Sequence, residues 1–228
     1  MISTTKAILA PIRLLAITHC HVYAQDGGDD DPKGNVNFGM PISAPVNPFG
    51  QFVNLGIGTT MGAGYNFNRR HAFVSEVMWN HLSLTNGALA PIRVAFQDPS
   101  INAGANLFAF TQNYRFELRD AVRGMYLIGG GGYYFRNSHL SRKVTTGSSI
   151  TCTPTWLWFG FTCESGSVTA NQTLGSSSSH SLGVNGGFGF TARVGEAPYR
   201  IYVESRYHYA PGKGVSTHLV ALTVGIRY

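Results

Sequence analysis

At 228 residues the chain has the length of one ordinary domain, yet only 12% of it is charged, against about 25% in a typical soluble protein. The net charge of +6 comes from scattered rather than clustered basic residues, which argues against a nucleic-acid footprint. Glycine (28 residues) and aromatics (12%) are abundant, a composition that suits lipid-facing strands better than a water-dispersed surface.

Lys6, the apolar run 7–17 and Val22-Tyr23-Ala24 predict a signal peptide over 1–24. Pro11 and Arg13 interrupt the run, so a misassigned start codon is the alternative. Loss of Lys6 and Arg13 with this leader lowers the charge from +6 to +4. Cys20 follows His19 rather than the small residue a lipid-anchor site requires. Residues 25–34 read as a flexible acidic segment whose aspartates lack the glutamate and spacing of a calcium loop. Past residue 24 no run approaches the ~18 apolar residues of a membrane helix. A membrane would therefore be met with strands.

Period-two alternation then marks eight strands. Asn35–Met40 is a short first strand that the prolines of 41–48 are expected to break. Gln51–Phe67 sets Leu55, Ile57, Met61, Tyr65 and Phe67 against Asn54, Gly56, Gly58, Gly62 and Gly64. Phe73–Leu82 and Asn106–Leu118 follow, separated by 83–103, which reads as a polar loop with two prolines. Met125–Arg142 and Ser181–Val194 flank 143–180, a Ser/Thr/Gly-rich stretch read as the longest loop. Arg200–Ala210 leads to the last strand, where Val220, Leu222, Val224, Ile226 and Tyr228 share one face and Leu219, Ala221, Thr223, Gly225 and Arg227 the other.

Links at 68–71, 119–124 and 195–199 are tight, whereas 83–103 and 143–180 are long. Short turns on one rim and long loops on the other are the habit of transmembrane barrels. A lipocalin-like soluble barrel also alternates, but the face opposite the aromatics is glycine, asparagine and a few charges, too sparse for a wetted exterior.

The alternating last strand with its closing aromatic, V-G-I-R-Y, together with G-A-G-Y-N-F-N at 62–68, resembles the small bacterial outer-membrane β-barrel proteins of the outer-membrane-protein-A transmembrane type. Glycine stands at Gly225 where that family often has it at the position of Thr223. The resemblance implies an all-β fold, an eight-stranded antiparallel up-and-down transmembrane β-barrel over 35–228, in the bacterial outer membrane. It also implies outer-membrane lipid and the barrel-assembly machinery as partners. It assigns no function, because members of the family serve many.

The charges on the small-residue phase are Glu76, Arg115, Glu117, Arg136, Arg193, Glu204, Arg206 and Arg227, which a barrel would gather in one lumen. Two readings follow: an interior ion-pair network filling a barrel too narrow for a channel, or a gated pore with an anion bias. In the longest loop Cys152 and Cys163, an even pair in a chain expected to be exported, are expected to form a disulfide; zinc would need further ligands nearby. Between them Trp156, Trp158, Phe159 and Phe161 are either interface packing or a loop patch for a ligand or surface. His81, His139, His180, His208 and His218 fall near predicted strand ends or loops, and Ser176–Ser179 lie close by. No motif sets a base beside a nucleophile, and no cofactor or metal motif occurs, so no catalytic residue and no cofactor is expected. The expected role is a structural or surface-interaction scaffold presenting extracellular loops, with an extracellular surface or small hydrophobic ligand as partner and no nucleic acid. The alternatives are a narrow transporter for small or hydrophobic solutes and a lipid-active or proteolytic barrel enzyme.

Overall fold

The computed structural model describes residues 33–118, 124–155, 160–193, 195, 198–212 and 214–228, and their side chains except those of 148–168. The expected signal peptide, most of the acidic segment, Trp156, Trp158 and Phe159 lie outside the described residues.

Eight strands run β1 (Gly34–Pro45), β2 (Val53–Asn66), β3 (His71–Leu84), β4 (Asn102–Glu117), β5 (Met125–Thr155), β6 (Gly160–Arg193), β7 (Arg200–Ala210) and β8 (Thr217–Arg227). Each is antiparallel to its neighbour in the chain, and β8 pairs back onto β1 from Asn37↔Arg227 to Pro45↔Leu219, closing the barrel. Closure satisfies the backbone of every spanning strand without water, the condition for a sheet in hydrocarbon.

The facing follows the alternation. On β8, Leu222, Val224, Ile226 and Tyr228 are about half exposed, whereas Leu219, Ala221, Thr223 and Arg227 are buried. The outward phase elsewhere carries Val36, Phe38, Met40, Leu55, Ile57, Met61, Leu127 and Phe188. An apolar surface that encircles the molecule is untenable in water and suited to lipid. Aromatic residues flank it: Tyr65, Phe67, Phe73 and Tyr114 toward the rim of short turns, Trp79, Tyr133 and Tyr207 toward the other.

The turn rim is built locally. Asn68 Oδ1 accepts the backbone N–H groups of Arg70 (2.8 Å) and His71 (3.0 Å), so one side chain satisfies the β2–β3 reversal.

Three expectations need correction. Pro41 does not end the first strand. It pairs with Thr223 on β8, while the ladder to β2 passes from Gly39↔Thr60 to Ile42↔Ile57 in unchanged register. The missing N–H is tolerated because one neighbour still holds the strand. The stretch 83–103 is largely structured: β3 runs to Leu84, β4 begins at Asn102, and α1 (Asn86–Phe96) lies between. Thr85 caps α1 by accepting from the Ala88 N–H, which offsets part of the cost of Pro91 inside the helix. Finally, 143–180 belongs to a hairpin: β5 and β6 stay paired from Met125↔Phe190 to Thr155↔Gly160. The β4 ladder stops at Asn102↔Ser141, so Arg142–Thr155 pairs with β6 alone. At ~3.3 Å per residue this two-stranded ribbon projects about 45 Å past the barrel. Its threonines tolerate extended backbone well, although its serines and glycines read as loop.

Candidate functional site

The lumen has three levels. Nearest the hairpin rim, Val53, Met78, Leu82, Leu107, Tyr134 and Leu219 pack into one apolar cluster with Ala109 and Ala210. Leu82, Leu107 and Leu219 occupy the inward phase, where the alternation predicted small or polar groups. Each is about 1% exposed or less, a dry plug across the bore.

Below the plug sits the charge network. Arg206 on β7 donates through Nη1 to Glu76 Oε2 on β3 (2.6 Å) and through Nη2 to Glu204 Oε1. Glu76 also accepts from Asn37 (2.9 Å) and Asn113 (2.7 Å), and Glu204 from the Tyr126 hydroxyl (3.0 Å). Glu76, Glu204 and Arg206 are 94–97% buried, so removing one would leave the others desolvated without compensation. The free space beside them, lined by Thr60, Thr111, His208 and Thr223 among others, is about 10 Å³, at most one water.

Glycines make this packing fit. A Cβ on Gly189 would lie 2.4 Å from the Tyr126 ring, and one on Gly183 would lie 2.8 Å from that of Tyr134. A Cβ on Gly225 would meet Tyr202 at 2.6 Å, and one on Gly62 would meet Glu76 Cγ at 2.6 Å. The three tyrosines are fully buried because the strand facing each carries no side chain at that point.

At the turn rim the lumen opens into a cavity of about 150 Å³ in whose wall six arginines and Glu117 take part. Arg227 is buried between the rings of Tyr126 and Tyr202, 4.8 and 4.9 Å from their centroids. Arg115 is buried as well, donates to Asn66 Oδ1 (3.2 Å) and lies 3.9 Å from Glu117.

The eight charges read as one network are thus distributed over three places. Glu76, Glu204 and Arg206 form the central cluster, whereas Arg115, Glu117, Arg193 and Arg227 belong to the turn-rim mouth. Arg136 is not part of either. It bonds the Val215 carbonyl (3.0 Å) and Thr217 hydroxyl (2.9 Å), tying down the β7–β8 connection at the hairpin rim. Arg193, the last residue of β6, is exposed at the outer edge of that mouth, because its strand has run past the packed lumen there. Asn37, Asn113 and Tyr126, which complete the network, went unread because neutral polar residues on the inward phase carry no distinctive signal. His208, read as near a strand end, is buried in the lumen and bonded to the Tyr134 hydroxyl (2.9 Å). In the hairpin Cys152 and Cys163 are direct cross-strand partners, and their side chains, like that of Phe161, lie outside the described ones.

A closed ring of eight antiparallel strands, a filled lumen and an apolar outer belt define a small outer-membrane β-barrel protein, and the outer membrane is where such a chain resides. The fold is similar to those of solved structures. Ail, the attachment invasion locus protein of Yersinia pestis, in complex with the heparin analogue sucrose octasulfate, aligns with a TM-score of 0.50 and 14% identity over 86% of this chain and 97% of that one. Another structure of Ail gives 0.49 at 15% identity with the same coverage, and Neisserial surface protein A gives 0.45 at 13%, over 86% and 96%. These likenesses are to the fold. No family model matches the chain, and no curated protein matches its sequence.

Proposed function

We propose that this protein is a non-enzymatic outer-membrane scaffold that keeps its bore shut and presents the β5–β6 hairpin outside the cell. The observation that carries this reading is the ribbon Arg142–Thr155 with its β6 partner, which extends beyond the last β4 pair and serves no purpose in closing the barrel. The apolar plug and the buried ion network support it, because among the described residues both fill the bore that a solute would have to cross. Short turns face the periplasm in such barrels and longer connections the exterior, which puts the ribbon at the surface. There the aromatic sequence between Cys152 and Cys163 acts as the contact with an external surface.

Two measurements test the proposal together. Purified protein in planar bilayers should show no resolved conductance steps, and protease added to intact cells should cut within 142–173 while the barrel stays whole. Steady ion conduction would favour the narrow-transporter alternative. A hairpin protected in intact cells but cut in spheroplasts would reverse the orientation.

A further inference from the structure

The turn-rim mouth carries a positive charge that the central network does not neutralise. Strand register sets Arg193 opposite Arg200 across β6 and β7, and Arg200 opposite Arg227 across β7 and β8. Three arginines therefore stand in one row over three adjacent strands. Directly opposed like charges destabilise a sheet. Arg115 reaches the same cavity from β4, and Glu117 is the acidic side chain among the described residues of its wall.

Arg227 is the informative member. It is only 7% exposed, and two tyrosine rings clamp its guanidinium. Its Nη2 donates to the Tyr126 hydroxyl at 3.3 Å, but Nε and Nη1 have no partner among the described residues. Nε of Arg115 also lacks a hydrogen-bond acceptor. Buried donors left unmade are costly, and charged ones more so. A wall of six arginines around about 150 Å³, with Glu117 as the acidic side chain among its described residues, is suited to an anion.

We propose that this mouth binds a phosphoryl group. Its tetrahedral array of anionic oxygens can accept from guanidinium forks on several strands at once, which a planar carboxylate does less well. The cavity holds one such group and the first atoms of its ester. Two sources share that chemistry: a soluble phosphate or phosphate monoester in the periplasm, and the headgroup of a lipid in the adjoining leaflet, whose level the outward Tyr65 and Tyr114 mark.

The test uses the full chain folded in a maltoside detergent, which contains no phosphate. Inorganic phosphate at millimolar concentration should raise the unfolding temperature by several degrees over chloride at equal ionic strength, and should broaden its own 31P resonance. R193Q/R200Q alters the rim residues rather than buried Arg227, and relieves repulsion, so it should fold at least as stably in phosphate-free buffer. It should nevertheless gain nothing from phosphate, whereas R142Q on the ribbon should respond like the parent. Nanodiscs decide the source. If phosphatidylglycerol abolishes the response to added phosphate in the parent, the lipid headgroup is the occupant; if the response persists, the soluble anion is. Equal stabilisation by chloride and phosphate, or an undiminished response in R193Q/R200Q, would overturn the proposal.

Discussion

Arg206 on β7 places its Nη1 2.6 Å from Glu76 Oε2 on β3, four strands away around the ring, so the pair spans the bore rather than joining neighbours. The same guanidinium holds Glu204 on its own strand, and one cation thus serves two buried carboxylates. Removing a single partner from such a cluster costs about 3–5 kcal/mol, more than the intact cluster contributes over apolar replacements. Arg206→Gln strands two carboxylates and should lower the urea midpoint more than Glu76→Gln or Glu204→Gln. E76Q/E204Q/R206Q should recover part of the loss. Unchanged midpoints for all three single variants would mean that solvent reaches these groups.

The outer belt makes a prediction about depth. Leu222 lies midway along β8 and faces outward, so Leu222→Arg should cost about 2–4 kcal/mol and reduce the heat-resistant folded band on a gel. Phe67→Arg, just past the end of β2 at the turn rim, should cost about 0–1 kcal/mol. Thr223→Arg is not a neutral control, because Thr223 is buried beside Arg206 where about 10 Å³ is free. Equal effects of L222R and F67R would remove the membrane assignment of this face.

Gly189 faces Tyr126 so closely that a methyl group has no room. Gly189→Ala should destabilise the barrel by about 1–3 kcal/mol through overpacking. Combining it with Tyr126→Leu should cost less than the two separate losses added together, since the smaller side chain vacates the contested space. Strict additivity in urea unfolding would show that the ring can move aside at no cost.

Register sets Cys152 opposite Cys163. Directly opposed antiparallel residues lie about 4.5 or 5.5 Å apart at Cα, and both separations suit a disulfide. We expect the pair to be oxidised in outer membranes, limiting the ten intervening residues by about 2–3 kcal/mol of chain entropy, nearly all of it local. Reduction should therefore leave the barrel's heat-shifted gel mobility intact while speeding cleavage of the hairpin by external protease. Two free thiols in labelled membranes would refute the bond. Trp156→Ala with Trp158→Ala should abolish attachment to an external surface without altering barrel assembly.

Alternation marked the eight strands and the two faces of each, because a side-chain period of two is a local property that a single chain displays. The closed antiparallel ring and its lipid-facing side came from the link lengths, the sparse charge and the resemblance. Alternation also placed Glu76, Glu204, Arg206, Arg115 and Arg227 inward, since each stands opposite an apolar neighbour on its own strand. Where a segment obeyed partners instead of its own pattern, the sequence misled. The ribbon 142–172 is extended because β5 and β6 hold each other, and α1 forms with Gly87 and Pro91 inside it and Thr85 capping its start. Only the tertiary structure decided which inward charges meet. Barrel stagger, invisible in a linear sequence, brings β3 and β7 to the same height. It also sets Arg193, Arg200 and Arg227 side by side and leaves Arg136 at the opposite rim. The physical reason is range: a strand's facing is fixed between adjacent residues, whereas a charge's partner is fixed by closure of the whole ring.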